Sequence, residues 1–326
     1  MLSTFVLIDG NSLLHRAYHA LPSLTTPSGQ PTGAVYGFTS MLIKALDELA
    51  PEYLAVAFDT KEPTFRHARY AEYKAHRPKM DEELVLQVDL VKEVVDTFGF
   101  PRFEVPGYEA DDIVATIIDK LKVKSVPRDE VLRGEKFQPK AGPPLAEKVK
   151  SLAEVEIVIV TGDLDLLQLV SDNVRVYTSK KGLSDTIIYD TKAVEKRYGL
   201  PPEKLRDYKA LVGDSSDNIP GVKGVGPKGA TQLLMGYYSL EGIYEHLGDM
   251  PDGQGAMLSS QREQAFLSRD LVQMAANVPI DFDTEFCRIR DADWDRVGKL
   301  FKRLRFESLL KRLPRGKENE QGSLFS

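Results

Sequence analysis

The sequence predicts an α/β fold, an open and mainly parallel sheet flanked by helices over residues 1–200. Two observations carry this reading. Short β-branched runs alternate with amphipathic stretches, and three of those runs are followed at once by an aspartate or by a turn that ends in one. In an open parallel sheet, the C-terminal edge of the strands is where ligands and chemistry collect.

Residues 4–8 (TFVLI) form the first expected strand, and Asp9 follows it. Residues 53–58 (YLAVAF) form the second, followed by Asp59, and residues 156–160 (EIVIV) the third, followed by Thr161, Gly162 and Asp163. One such aspartate is commonly a helix cap. Three at the same edge ask for a shared cause. Between the strands, residues 82–98 place Leu84, Val88, Val91, Val94, Val95 and Phe98 on one helical stripe, which is a core-facing pattern. Residues 107–121 open with Glu109, Asp111 and Asp112 before an apolar helical run. Acids suit a helix N-terminus, but three in four positions exceed what capping requires. Residues 122–150 are rich in Lys, Arg, Pro and Gly and read as a loop insertion, since structureless loops of that length are either functional or disordered. Residues 201–313 complete the domain with helices, and residues 314–326 read as a flexible polar tail.

Composition narrows the class. The 326 residues are 42% hydrophobic and 28% charged, ordinary for a soluble globular chain. No apolar run reaches the roughly 20 residues of a membrane span. The N-terminal residues enter a β-like run without a leader pattern, so a cytoplasmic setting is expected and no membrane partner. The single cysteine, Cys287, excludes an intrachain disulfide and a cysteine-rich zinc site, and reads as inert packing. The net charge of −6 argues at first against nucleic acid. Setting aside the nine carboxylates considered next, however, turns −6 into +3.

Those nine are Asp9, Asp59, Glu109, Asp111, Asp112, Asp163, Asp165, Asp214 and Asp217. Hard oxygen donors without histidine or cysteine favour Mg²⁺ or Mn²⁺ over zinc. Two such ions about 3.5–4 Å apart are an apparatus for phosphodiester hydrolysis. Spacing alone leaves open that the nine are unrelated surface acids. Residues 213–234 (GDSSDNIPGVKGVGPKGATQLL) contain Gly224, Gly226 and Gly229 in the spacing of a dinucleotide fingerprint. The context is wrong for one, because a helix-like stretch (EKLRDYKALVG) precedes it and Pro227 interrupts it. A glycine-rich hairpin between two helices fits better, with Lys223 and Lys228 and free backbone N–H groups to hold a phosphate without reading sequence.

The run Ile8-Asp9-Gly10-Asn11, Phe58-Asp59, GYEADD at 107–112, TGDLDLLQL at 161–169 and the 213–230 segment resembles the 5′–3′ exonuclease domain of bacterial DNA polymerase I, within the flap endonuclease superfamily. The motifs stand in order across nearly all of residues 1–313. The resemblance implies a PIN-like sheet, a helical arch and a helix–three-turn–helix DNA-binding element. It also implies two-metal cleavage of 5′-ended or flap DNA by Mg²⁺, with Mn²⁺ as a substitute. By position, Asp9, Asp59, Glu109, Asp111, Asp112 and Asp163 would surround the first ion, and Asp165, Asp214 and Asp217 the second.

Further roles come with it. Lys74 and Arg77 would press on the scissile phosphate from the arch, Tyr73 would stack on an unpaired base, and Arg16 would meet the substrate's 5′ region. Gly221, Lys223, Gly224, Gly226, Lys228 and Gly229 would form the DNA-binding hairpin, with a monovalent cation at 221–229. RNA primer–DNA hybrids join DNA as expected substrates, and a polymerase domain in cis or in trans is an expected partner. The tail residues Gln321, Leu324 and Phe325 resemble a sliding-clamp docking motif. Two other readings stand beside the nuclease: a PIN-type ribonuclease, which has no need of the 213–234 hairpin, and a non-catalytic flap-binding module, which would have lost carboxylates that are all present.

Overall fold

The computed structural model describes residues 3–125, 155–183, 185–290 and 292–313. Among them lies a six-stranded sheet in the order β3-β2-β1-β4-β5-β6. Its strands are β1 (Ser3–Asp9), β2 (Tyr53–Ala57), β3 (Arg102–Phe103), β4 (Val155–Val160), β5 (Val174–Lys181) and β6 (Asp185–Tyr189). All neighbours pair in parallel except β5 and β6, which form an antiparallel hairpin at one edge. The three expected strands are the central ones. Their register sets Asp9 beside Ala57 and Ile8 beside Val160, so the residues following β1, β2 and β4 emerge at one edge.

The strands are apolar on both faces because helices cover both. Phe5, Leu7, Ala55, Ala57, Ile157 and Ile159 enter one core, and Val6, Ile8, Leu54, Val56, Val158 and Val160 the other. Successive side chains of a strand point to opposite faces, which is why each run splits evenly. The second of these cores is closed by α1 (Gly10–Ala20), α2 (Gly33–Leu49) and α4 (Glu82–Phe98), and by α12 (Trp294–Arg303), which returns from the far end of the chain. The stripe expected on residues 82–98 is buried at Leu84, Val91, Val94, Val95 and Phe98, with Val88 partly buried against it. The first core is closed chiefly by α5 (Ala110–Ser125). Cys287 is buried in it.

Two expectations need adjusting. The helix opening at the acidic cluster begins at Ala110 rather than 107, and runs to Ser125, so the first four residues of the expected 122–150 loop are helical. The rest of that segment and its cations Arg128, Arg133, Lys136 and Lys140 lie outside the described residues. The stretch expected as a helical arch holds only the five-residue α3 (Phe65–Arg69) and then a run of turns through Ser216-facing Arg77. Lys74 there has a left-handed backbone (φ 55), which interrupts a right-handed helix.

A third core belongs to the helices after the sheet. It joins α7 (Leu205–Val212), α8 (Pro227–Tyr237), α9 (Leu240–Glu245) and residues of α10 (Asp252–Ser259) and α11 (Arg262–Val272), with α6 (Thr191–Tyr198) leading into it. The glycine-rich segment is the turn between α7 and α8, as the sequence suggested. Gly213 and Gly221 both have positive φ (79 and 64), and a Cβ on Gly221 would stand 2.3 Å from the Gly213 nitrogen. The chain can cross itself there only without side chains. Gly221→Ala is therefore expected to cost about 2 kcal/mol or more of stability, read as a lowered urea midpoint. A midpoint equal to wild type would mean that the crossing is not tight in solution.

Candidate active site

Hydrogen bonds fix the carboxylate of each central strand at the edge, locally for Asp9 and Asp163 and to a distant segment for Asp59. Asp9 ends β1 and caps α1, its Oδ1 accepting the Ser12 N–H at 3.0 Å and its Oδ2 the Thr161 hydroxyl at 2.9 Å. A Cβ on Gly10 would run into the Phe58 ring at 2.4 Å, so the tight exit from β1 into α1 needs glycine. Asp59 accepts the Ala110 N–H at 2.7 Å, which ties the end of β2 to the start of α5. Asp163 accepts the Asp165 N–H at 2.8 Å and opens a short 3₁₀ turn after β4.

The result is an open cleft of about 440 Å³ whose lining includes Asp9, Asp59, Glu109, Asp111, Asp163, Asp165 and Asp217, together with Arg16, Lys74 and Arg77. Seven of the nine expected carboxylates meet there. Asp214 is joined to the group through Lys209, whose ammonium bonds Asp214 Oδ2 at 2.7 Å and also pairs with Asp165. Asp112 is not part of the lining. It is fully buried at the third position of α5 and accepts the Glu109 N–H at 3.1 Å, as the acid of a capping box does. Its remaining acceptor capacity is taken by Arg66 and the Ala275 N–H.

The cations approach from two sides. Lys74 Nζ lies 2.8 Å from Glu109 Oε1 and 3.8 Å from Asp217 Oδ2, and Arg77 pairs with Asp217 while donating to the Ser216 carbonyl at 3.0 Å. Arg16 donates to the Ser179 carbonyl at 3.1 Å from the cleft wall. Tyr73 departs from its expected role. Only 2% exposed, its ring packs against Ile219, Leu271 and Val272 and offers no face to a base. Its hydroxyl reaches Glu109 at 3.0 Å and Asp217 at 3.1 Å. An aromatic beside basic residues reads as a stacking platform in sequence; here its polar end is needed by two carboxylates and its ring by a small core.

Sequence reasoning missed Lys209 and His15. Lys209 stands in the helical stretch before the hairpin, five residues ahead of Asp214, and that spacing was its only signal. His15 lines the cleft, and burial with His19 and Arg77 nearby holds its pKa below the usual value.

Electrostatics make the cleft a site for a cation. Burial, with Asp59 and Asp163 close by, pushes Asp9 up to about 7. Burial and Asp163 push Asp165 to about 7 despite Lys209. Asp59 and Asp111 are raised by the same desolvation. Asp214, where Lys209 and Ser216 outweigh a burial that would raise it, falls to about 2. Among the described residues, no group of three or more His, Cys, Asp or Glu is already arranged to hold a metal ion; ammonium groups lie between the acids instead. The donor set still fits a hard divalent cation, being all oxygen and burdened with unfavourable charge that such an ion removes.

The expected hairpin residues Gly221, Lys223, Gly224, Gly226, Lys228 and Gly229 lie apart from this cleft. Lys223 is held through its backbone by Gln261, at 2.7 and 3.0 Å, leaving its side chain exposed. Beside Lys228 opens a second cleft of about 670 Å³, lined by Arg197, Tyr198, Tyr208, Pro227, Lys228, Thr231 and Gln232, with no carboxylate. The expected clamp-docking residues Gln321, Leu324 and Phe325 lie outside the described residues.

Comparison with known proteins agrees with this geometry. Residues 4–131 match the model of the 5′-3′ exonuclease N-terminal resolvase-like domain, and residues 200–295 that of the 5′-3′ exonuclease C-terminal SAM fold. The chain is 37% identical over 310 residues to DNA polymerase I of Caldicellulosiruptor bescii, covering 94% of this chain and 33% of that protein. It is 36% identical to DNA polymerase I of Bacillus subtilis, covering 94% and 32%. The chain thus spans about a third of the length of these relatives. In fold it is similar to a bacteriophage T5 flap endonuclease solved with DNA and metal ions, with a TM-score of 0.63, 18% identity, and coverage of 95% and 97% of the two chains.

The raised Asp9 gives a signed prediction. Below about pH 4 its carboxyl is protonated in both folded and unfolded chains; above that the unfolded chain releases the proton first. Stability held by the protonated form is lost as pH rises toward about 7, at up to about 1.4 kcal/mol per pH unit. In EDTA, Asp9→Asn should melt higher than wild type at pH 8, with the advantage shrinking at pH 5. An advantage that is independent of pH would refute charge crowding at Asp9.

Proposed function

The chain belongs to the 5′–3′ exonuclease family, and from that premise we propose that it is a structure-selective 5′ nuclease. It hydrolyses phosphodiesters at the 5′ end or flap of duplex DNA with two divalent cations, Mg²⁺ or Mn²⁺. The observation that carries the reading is the meeting of seven carboxylates with Arg16, Lys74 and Arg77 in one cleft at the sheet edge. Lys74 and Arg77 stand beside acids that bound cations would neutralise, which leaves their positive charge suited to an anionic substrate.

Asp9, Asp59, Glu109, Asp111 and Asp163 would hold one cation, and Asp165, Asp214 and Asp217 the other. When bound, such ions supply a nucleophilic hydroxide near neutral pH and offset charge on the phosphate and the departing oxygen. The protein's own residues do the rest. Lys74 is paired with Glu109 and Asp217, so neutralising those acids frees its ammonium for the phosphate, where positive charge favours the transition state. Arg77 stands next to it on Asp217 and serves the same anion. Arg16, anchored on Ser179, faces the cleft where the 5′ region of the strand would enter.

The duplex would lie on the hairpin between α7 and α8. The acid-free cleft beside Lys228 continues that surface with Arg197, two tyrosine hydroxyls and Thr231, donors suited to backbone phosphates and indifferent to sequence. The finer partners, RNA primer–DNA hybrids and a polymerase domain, belong to the same proposal, as does a monovalent cation at 221–229.

A labelled 5′-flap duplex tests the reading directly. Cleavage should require Mg²⁺ or Mn²⁺, stop in EDTA, and fall by at least about 100-fold in Asp163→Asn without loss of fold. Turnover in excess EDTA would defeat it. Lys74→Ala should lower the single-turnover rate more than binding. Lys228→Ala and Arg197→Ala should instead weaken duplex binding alike for all sequences, each reducing the log–log salt slope by about 1. An unchanged slope in both would remove the second cleft from the DNA surface.

A further inference from the structure

The Arg66–Asp112 pair sits directly beneath the cleft. Arg66 is 1% and Asp112 0% exposed, and they meet through two parallel hydrogen bonds of 2.8 Å. Asp112 also accepts the backbone N–H of Ala275 at 2.7 Å and of Glu109 at 3.1 Å. A carboxylate offers about four lone-pair positions, and all four are taken. Arg66 donates further to the carbonyls of Leu271 and Gln273, both at 2.9 Å, and its Nη1 lies 3.7 Å from Glu109 Oε2.

Burying an ion pair so completely is a poor way to gain stability, since a well-packed apolar pair often serves as well. Its placement has a different consequence. Three segments converge on it: α3, which leads into the turns carrying Tyr73, Lys74 and Arg77; the entry to α5, where Glu109 precedes the helix and Asp111 lies in its first turn; and residues 271–275, which leave α11 and the helical region. We propose that Arg66 and Asp112 are a positioning pair that fixes the Glu109 carboxylate and its neighbours relative to the helical region, and that Asp112 is not itself a metal ligand. The inference rests on the metal-dependent reading above and assigns the pair a place behind its ligands. Partners of this kind typically change metal affinity by about 10–100-fold when removed.

The test compares Asp112→Asn, the double variant Arg66→Gln/Asp112→Asn, and Asp59→Asn, using DNA-free protein, Mn²⁺ titration by calorimetry, and thermal melts in EDTA. Asp112→Asn should lower the melting temperature, because it strands the Arg66 charge in the interior; Asp59→Asn, which relieves crowding, should not. The double variant changes no net charge and keeps amide groups where hydrogen bonds are needed, so it should regain most of the lost melting temperature. Its Mn²⁺ affinity should nevertheless stay about 10–100-fold below wild type. Wild-type affinity in a stable double variant would make the pair a purely structural tie and overturn the proposal. So would an Asp112→Asn protein that melts like wild type in EDTA and loses Mn²⁺ as Asp59→Asn does, since that is how a direct ligand behaves. Should the double variant not fold, Arg66→Lys keeps the charge but not the fork, and the same affinity loss at near wild-type melting is expected; full affinity there overturns the proposal. A wild-type chain that takes up no Mn²⁺ overturns both this inference and the metal-dependent reading, whereas the variant arms bear on the pair alone.

Discussion

Negative charge crowded at one end of a buried sheet is the constraint on which the rest of this structure depends. Three parallel strands deliver Asp9, Asp59 and Asp163 to the same edge, and the entry to α5 adds Glu109 and Asp111. Burial alone would make the cluster costly; its neighbours make it more so, as the upward shifts at Asp9, Asp59, Asp111 and Asp165 register. Most of the cations nearby are paired with these acids, Arg16 on the Ser179 carbonyl excepted. Lys74 leans on Glu109, Arg77 on Asp217, and Lys209 bridges Asp165 and Asp214. Arg66 answers the one acid buried out of reach of solvent.

The same interactions join the two halves of the chain. Residues 72–77 are pinned to residues 216–218 by four hydrogen bonds, the Lys74 N–H to the Asp217 carbonyl, the Asn218 amide to the Glu72 carbonyl, Arg77 to the Ser216 carbonyl and the Tyr73 hydroxyl to Asp217, besides the pairing of Arg77 and Lys74 with the Asp217 carboxylate. The first of these is backbone on both sides, and backbone carbonyls accept the next two. The turn-rich segment over the cleft is therefore set by the helical region that would hold duplex DNA, not by the sheet alone. A displacement of the α7–α8 hairpin has a direct route to Lys74 and Arg77 in the cleft.

Much of this was legible in the sequence, and what was legible has a common character. Strands and helices with a repeating apolar pattern declare themselves locally: residues 5–8, 53–58 and 157–160 form unbroken runs of apolar and aromatic residues because both faces are covered, and Glu82–Phe98 carries its stripe at helical spacing. The carboxylates were found because they follow strands or cluster at a helix start, both local facts. The edge strands were harder. β3 is two residues long, and β5 with β6 is a hairpin whose Gly182 turn, inside KKGLSD, was the available signal.

What escaped the sequence was decided by contacts between distant segments. Asp112 looks like its neighbours Glu109 and Asp111 in sequence, and only a partner 46 residues away, Arg66, separates its fate from theirs. Tyr73 sits among cations in sequence but folds its ring against Ile219, Leu271 and Val272. Lys209 is one of several lysines on amphipathic helices until Asp165, 44 residues earlier, is brought to it. In each case residue type and spacing fix what a side chain can do, while the tertiary partner chooses among those options. A motif can thus identify the chemistry of this cleft without saying which acids line it, because adjacent positions on α5 set Asp111 in the cleft wall and Asp112 against Arg66.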